Sequence, residues 1–312
     1  MNLRKPVNIA TAFILPVLML MAVSAFAQVD LSGEWTGLNH NMNMERGGGP
    51  DLADYTGLPI NDEAREVALS YNSGVLSMME RSCSFYTENY LTIAPHNIMI
   101  ERENDPLNGD IIAWKISAGG SDRAPISIWV DGHPHPSATD FHTFSGFTTG
   151  EWEGNTFTAH MTHMKRGLVR RNGVPLSDEA TMTMHITRHD NILTIVTITE
   201  DPIYLDEPLV QAGSYRLNPA GNISPVNPTC FPFTEAQRLD EVGVVPHFLP
   251  GTNPFQQDFA KMYHLPLEAA MGGAETMYPE YRKKLKEVYT IPPRCTRYCC
   301  VNPRGSGLTC KP

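Results

Sequence analysis

The chain predicts a mainly β fold, an antiparallel meander closed as a barrel, followed by a partly helical C-terminal extension. Three observations carry this prediction. Between Asp30 and about Leu217, short runs rich in β-branched and aromatic residues are separated by Gly, Asn, Asp and Pro turns. Within that region, Thr181-Met182-Thr183-Met184-His185-Ile186-Thr187 alternates with period two, Met182, Met184 and Ile186 on one face and the threonines with His185 on the other. Successive segments are joined by turns instead of helical crossovers, and closing such a meander into a barrel removes its unpaired edges.

Taken in order, residues 1–27 hold Arg4 and Lys5, an apolar run from Ile9 to Val23, and Ala25-Phe26-Ala27. This is the pattern of an export signal cleaved after Ala27, and the run is too short to span a bilayer. The mature chain is therefore expected to be periplasmic or secreted, with no membrane insertion after cleavage. It would have 285 residues, with 22 basic against 34 acidic and a formal charge of −12. That balance leaves no basic patch to displace counterions from phosphates and excludes nucleic acid as a natural partner.

Ser32–Gly37 reads as the first strand, with Trp35 plugging one end of the barrel. A loop over 39–57 contains Gly47-Gly48-Gly49-Pro50, and a helix capped at Asn61 or Asp62 runs to about Tyr71. Strands follow over Tyr90–Arg102, Ile111–Ser117 and Pro125–Val130. Trp152–Phe157 is a strand, a Gly154-Asn155 turn and a second strand continuing through Thr162. Leu193–Thr199 repeats the alternation after His189-Asp190-Asn191 and should pair with Thr181–Thr187 as a hairpin. Beyond Leu217 the texture turns to Pro and Asn, then to helical spacing at Phe255, Phe259 and Met262 and over Pro279–Val288. The predicted organisation is 1–27 signal, 28–217 barrel, 218–312 extension with two short helices and a Cys-rich tail.

Six cysteines in an exported chain read as disulfides. Cys83 and Cys230 stand alone in the body and are expected to bond to each other. Cys295, Cys299, Cys300 and Cys310 crowd the tail and form a separate knot of open connectivity. Adjacent Cys299 and Cys300 would need a strained peptide to bond directly. The tail spacing lacks the paired C-x-x-C loops of structural zinc sites.

Four segments carry a resemblance: Ser32-Gly33-Glu34-Trp35-Thr36-Gly37-Leu38, Asp131-Gly132-His133-Pro134-His135-Pro136, Gly150-Glu151-Trp152-Glu153-Gly154-Asn155-Thr156 and Arg170-Arg171-Asn172-Gly173-Val174-Pro175. With Tyr55–Asn61 and Glu275–Tyr281, they make the chain similar to an abundant, mostly uncharacterised family of exported bacterial lipocalin-like β proteins. The resemblance implies a lipocalin-like barrel and export. It carries no catalytic residues, and the Cys-rich tail falls outside its pattern.

No Gly-x-Ser-x-Gly elbow, His-Glu-x-x-His or Walker loop occurs, which lowers the case for familiar hydrolases and zinc peptidases. Five of the eleven histidines, His133, His135, His142, His160 and His163, lie between residues 133 and 163. On a strand His133 and His135 could share one metal with His142 or His160 and Asp140, but Pro134 and Pro136 fit a rigid extended turn better than a central strand, so these read as surface-turn histidines, and neither metal nor cofactor is expected. Glu151 and Glu153 flank Trp152, where a carboxylate beside an indole could act as an acid if desolvated. Arg170 and Arg171 could fork a carboxylate at the barrel mouth, or be neutralised by Asp178 and Glu179. His185, Glu153 and His160 are the catalytic candidates. Trp129, Trp152, Arg170, Arg171, Met182 and Met184 are the ligand-binding candidates.

The leading expectation is binding of a small, largely apolar ligand inside the barrel. An isomerase, hydratase or hydrolase built on His, Glu and Arg in the same cavity is the alternative. A structural or docking protein, meeting a protein partner through the C-terminal extension, is the third. The Trp129 strand, the Trp152–Met164 hairpin and the Thr181–Thr199 hairpin should converge on one pocket. The Met182, Met184 and Ile186 face is expected inward, because burying a row of threonines requires a partner for each hydroxyl.

Overall fold

The computed structural model describes residues 29–38, 50–71, 97–118, 125–221, 248–249 and 251–288. The expected export signal and all six cysteines, with their proposed pairings, lie outside the described residues. The sheet contains β1 (Gly33–Gly37), β2 (Ile98–Asn104), β3 (Ile111–Ala118), β4 (Ile126–Trp129), β5 (Phe147–Glu153) and β6 (Thr156–Thr162). After a small hairpin of β7 (Gly167–Leu168) and β8 (Pro175–Leu176) it resumes with β9 (Thr181–His189), β10 (Ile192–Glu200) and β11 (Leu209–Leu217). The nine long strands form a closed barrel in the order β1, β11, β10, β9, β6, β5, β4, β3, β2. β1 seals it, pairing with β11 through Trp35↔Leu217 and with β2 through Trp35↔Ile98.

One step departs from the antiparallel meander. β4 and β5 are parallel, with Ile128 opposite Thr148 and Trp129 opposite Thr149. A two-residue hairpin cannot join parallel strands. Residues 130–146 make the crossover, and Pro134 and Pro136 hold it extended because their rings fix φ and restrict the residue before them. The crossover is pinned on its return by a parallel bridge between Thr143 and Met164, where His163 sits at a left-handed φ of 56°.

The expected helix forms as α1 (Asp62–Ser70), capped by the Asn61 side chain, which accepts a hydrogen bond from the Ala64 N–H at 2.9 Å. Its buried face is Ala64, Ala68 and Leu69, which joins the same apolar core as the barrel interior. Polar contacts close the layer beneath it. Arg170 pairs with Asp54, Nη2 to Oδ2 at 3.5 Å and Nη1 donating to the Asp54 carbonyl at 2.9 Å. The Asp201 carboxylate, 3% exposed, accepts from the Ser177 N–H and hydroxyl, both at 2.7 Å, and from the Ile203 N–H. Buried Tyr55 has its phenol pushed above the ordinary range, chiefly by desolvation.

The C-terminal elements are α2 (Asp258–Tyr263), α3 (Leu267–Ala270), a 3₁₀ turn (Ala274–Met277) and α4 (Pro279–Val288). They clamp segment 55–65 through main-chain atoms. The Tyr55 N–H donates to Ala270 O at 2.9 Å and the Gly273 N–H to Leu58 O at 3.1 Å, while Arg65 Nε donates to Met271 O at 3.2 Å. Gly272, at φ +75°, makes this possible: a Cβ there would fall 2.2 Å from the Tyr55 carbonyl oxygen.

Candidate functional site

The register stacks the inward side chains in rings. One ring runs Ile128, Thr148, Met161, Met182, Thr199 and Leu209 across β4, β5, β6, β9, β10 and β11. The next runs Gly150, Ala159, Met184, Thr197 and Gln211. A third runs Trp152, Phe157, Ile186, Ile195 and Gly213. Gly150 is small because Phe157 fills the space beside it: a Cβ would stand 2.5 Å from the Phe157 ring and 2.8 Å from Ile128. Met161, Met182, Met184 and Ile186 are all buried, so the methionine face points into the barrel.

Four polar side chains share this apolar interior. Thr148, Thr197 and Thr199 are at most 1% exposed and Gln211 8%. Thr148 Oγ1, Thr197 Oγ1, Thr199 Oγ1 and Gln211 Oε1 have no hydrogen-bond partner among the described residues. A buried polar atom left unpaired costs about 1–3 kcal/mol, so native chains rarely keep one without reason. Three of the four fall on adjacent strands β10 and β11, Thr197 directly opposite Gln211 and Thr199 two residues along the same face. This polar spot in a methionine-lined interior is the candidate site.

Toward Trp35, the interior closes. Buried Tyr215 has its phenol pushed up by desolvation, and the Arg188 guanidinium lies 5.2 Å over the Trp35 ring. The Trp35 indole donates to the Leu31 carbonyl at 3.1 Å.

The structure redistributes the residues singled out in the sequence. His185 and His160 stand on the outer face of β9 and β6, opposite in facing to Met184 and Met161. His185 Nδ1 meets the Thr158 hydroxyl at 3.1 Å and His160 Nδ1 the Thr183 hydroxyl at 3.2 Å. Neither lines the interior. Glu153 is exposed at the β5–β6 turn beside Gly154. Trp129 also faces outward, stacked on His133 with ring centroids 4.2 Å apart, and its strand contributes Ile126 and Ile128 to the interior instead. Trp152 does reach the inner face, 5.2 Å from Phe157. Arg170 is held by Asp54 in the layer under α1; Arg171 is half-buried next to it in the β7–β8 turn.

Three of the five clustered histidines, His135, His142 and His163, do come together. His135 and His163 have ring centroids 5.4 Å apart, His142 and His163 5.1 Å, and His133 stacks on Trp129. Their nitrogens are committed to the loop. His163 Nε2 donates to Ser137 O at 2.8 Å, His142 Nδ1 to Met164 O at 2.9 Å and His135 Nδ1 to Pro136 O at 2.7 Å. The Thr162 hydroxyl lies between His135 Nε2 at 2.9 Å and His163 Nδ1 at 2.8 Å. Among the described residues, no group of three His, Cys, Asp or Glu side chains is placed to hold a metal ion.

No family model matches the chain, and no curated protein matches it. Two solved structures are similar to it, both of the fluorescent protein UnaG: a point mutant at 11% identity and a TM-score of 0.28, and the wild type at 12% and 0.27. Each match covers 60% of this chain, with 95% and 97% of the respective UnaG chain. At such scores the functional reading stands on this chain's own interior.

Proposed function

We propose that this chain is an exported barrel protein that binds a small, largely apolar ligand in its interior. The observation that carries the reading is the set of orphaned oxygens on Thr148, Thr197, Thr199 and Gln211 among inward-facing methionines. Unbranched thioether side chains adapt to a guest's shape, and polar groups with unmet hydrogen bonds give that guest an orientation. An eight- or nine-stranded barrel is wide enough to enclose one small molecule. The enzymatic alternative loses its base, because His185 and His160 are on the outer face.

Export rests on residues 1–27 and fits the oxidising compartment that six cysteines call for. Native mass spectrometry of the chain recovered from the periplasm tests both parts. The expected result is a mature mass beginning at Gln28 with a small organic molecule retained. A ligand-free barrel that also fails to enhance the fluorescence of the neutral apolar dye Nile red would reject the binding function.

A further inference from the structure

We infer that the interior seats an uncharged hydrogen-bonding end of its ligand, a hydroxyl or a primary amide, against Thr197, Thr199 and Gln211, and that it selects against carboxylates. This rests on the ligand-binding reading above and adds the chemistry of the head group.

The placement follows from register. Thr197 and Gln211 are direct cross-strand partners, so their Cβ atoms lie about 4.5–5.5 Å apart on the same face, and Thr199 follows two residues on. Their three unpaired oxygens therefore belong to neighbouring positions of one inner face. Gln211 Oε1 can only accept, whereas the threonine hydroxyls can donate or accept. The complementary group must bring at least one hydrogen. An alcohol or amide supplies it and can also accept from a threonine. An ionised carboxylate brings lone pairs alone, so it can accept from the threonines or from Gln211 Nε2 but leaves Gln211 Oε1 unsatisfied.

Charge reinforces the selection. Burying a carboxylate is costly unless a cation pairs with it. Two basic side chains share the alternation of this inner face among the described residues: Arg188, two rings away past Ile186, over Trp35, with its Nε donating to Asp190 O at 2.9 Å, and Arg102, in register with Trp114 and Ile128 but turned out to solvent at the end of β2. A ligand reaching the Thr197–Gln211 spot meets uncharged groups, while its apolar part lies against Met182 and Met184.

Competition for Nile red on the purified mature chain tests this, using dodecan-1-ol and dodecanoate as chain-matched probes. The alcohol is expected to displace the dye at about tenfold lower concentration than the carboxylate, the worth of one to two net hydrogen bonds. Gln211→Leu should narrow that preference by weakening the alcohol. Thr199→Val, nearly isosteric, provides the same readout should Gln211→Leu fold poorly. Arg188→Gln should leave the alcohol unchanged. Tighter binding of dodecanoate, above all if lost in Arg188→Gln, overturns the inference. So does equal displacement by both probes that ignores Gln211→Leu and Thr199→Val, with ligand binding itself left standing. Failure of Nile red to bind at all removes both readings together.

Discussion

Thr197 on β10 and Gln211 on β11 face each other inside the barrel, and neither Thr197 Oγ1 nor Gln211 Oε1 has a hydrogen-bond partner among the described residues. A pair that stabilises nothing in the free protein should be removable at no cost to folding. Thr197→Val keeps the shape and deletes the orphan hydroxyl, so the ligand-free protein is expected to be as stable or more stable, by up to about 2 kcal/mol. Urea unfolding of both proteins measures it. A loss of stability above about 1 kcal/mol would mean that the hydroxyl is satisfied and the interior spot is structural.

Gly272 tests the clamp between the extension and segment 55–65. Its φ of +75° and the 2.2 Å approach of a Cβ to Tyr55 O act together against any side chain. Gly132 has a similar φ, +78°, with nothing within 4 Å of its Cβ position. Gly132→Ala should cost only the left-handed backbone penalty, about 1–2 kcal/mol. Gly272→Ala should cost clearly more, since main chain must move as well. Equal midpoints in denaturant for the two variants would show that the extension does not clamp as described.

Arg170 separates a structural cation from a ligand-holding one. It pairs with Asp54, and both side chains are 13% exposed. Arg170→Met removes a buried cation from beside the Asp54 carboxylate and should destabilise by about 3 kcal/mol. Nile red affinity of the folded variant is expected to stay at the parent value. A weaker dye affinity at unchanged stability would return Arg170 to the binding site.

Much of the barrel was legible because alternation and turns are local. The Thr181–Thr187 and Leu193–Thr199 strands, the helix behind Asn61 and the Pro279 helix all carry their signals within a few residues. The site was less legible, because it depends on register. Ile192–Glu200 alternates Ile and Thr on both faces, so its pattern alone cannot say that Thr197 and Thr199 point inward. The β9–β10 turn decides it: pairing His189 with Ile192 places Thr197 opposite Met184 and Thr199 opposite Met182. β11 was hidden for a related reason. Its inward positions are Leu209, Gln211, Gly213 and Tyr215, and an inward Gln and Gly erase the apolar stripe that would mark a strand. The parallel β4–β5 step is non-local and leaves no trace in periodicity. Trp129 is a ligand-binding candidate in the sequence reading, although alternation with buried Ile126 and Ile128 sends it outward.

The histidine network fixes tautomers that can be read directly. Carbonyl oxygens only accept, so His163 carries its hydrogen on Nε2, facing Ser137 O, and His135 on Nδ1, facing Pro136 O. Long-range ¹H–¹⁵N spectra at neutral pH are expected to show those two forms. Thr162→Val removes the hydroxyl that lies between the rings, whose single hydrogen serves one of the two ring nitrogens facing it, and amide exchange in residues 133–146 should accelerate while the barrel strands are unaffected. Nδ1-protonated His163 would show that the loop is held in another way.

Alkaline pH probes the two buried phenols. Burial raises the folded-state values of Tyr55 and Tyr215 above the ordinary 10.0, chiefly by desolvation in both cases. Above that ordinary value the unfolded chain ionises these tyrosines while the native barrel keeps them protonated, so the unfolded state binds fewer protons. Stability contributed by their neutral forms is then fully present below about pH 10 and is lost as pH rises beyond it. Urea midpoints should hold through pH 9 and fall between pH 10 and 11. In Tyr215→Phe the fall should be shallower by the share of one titrating group, about 1.4 kcal/mol per pH unit at most. An identical slope in parent and variant would mean that Tyr215 ionises as freely in the barrel as in the unfolded chain, and that the Trp35 end of the interior is wet.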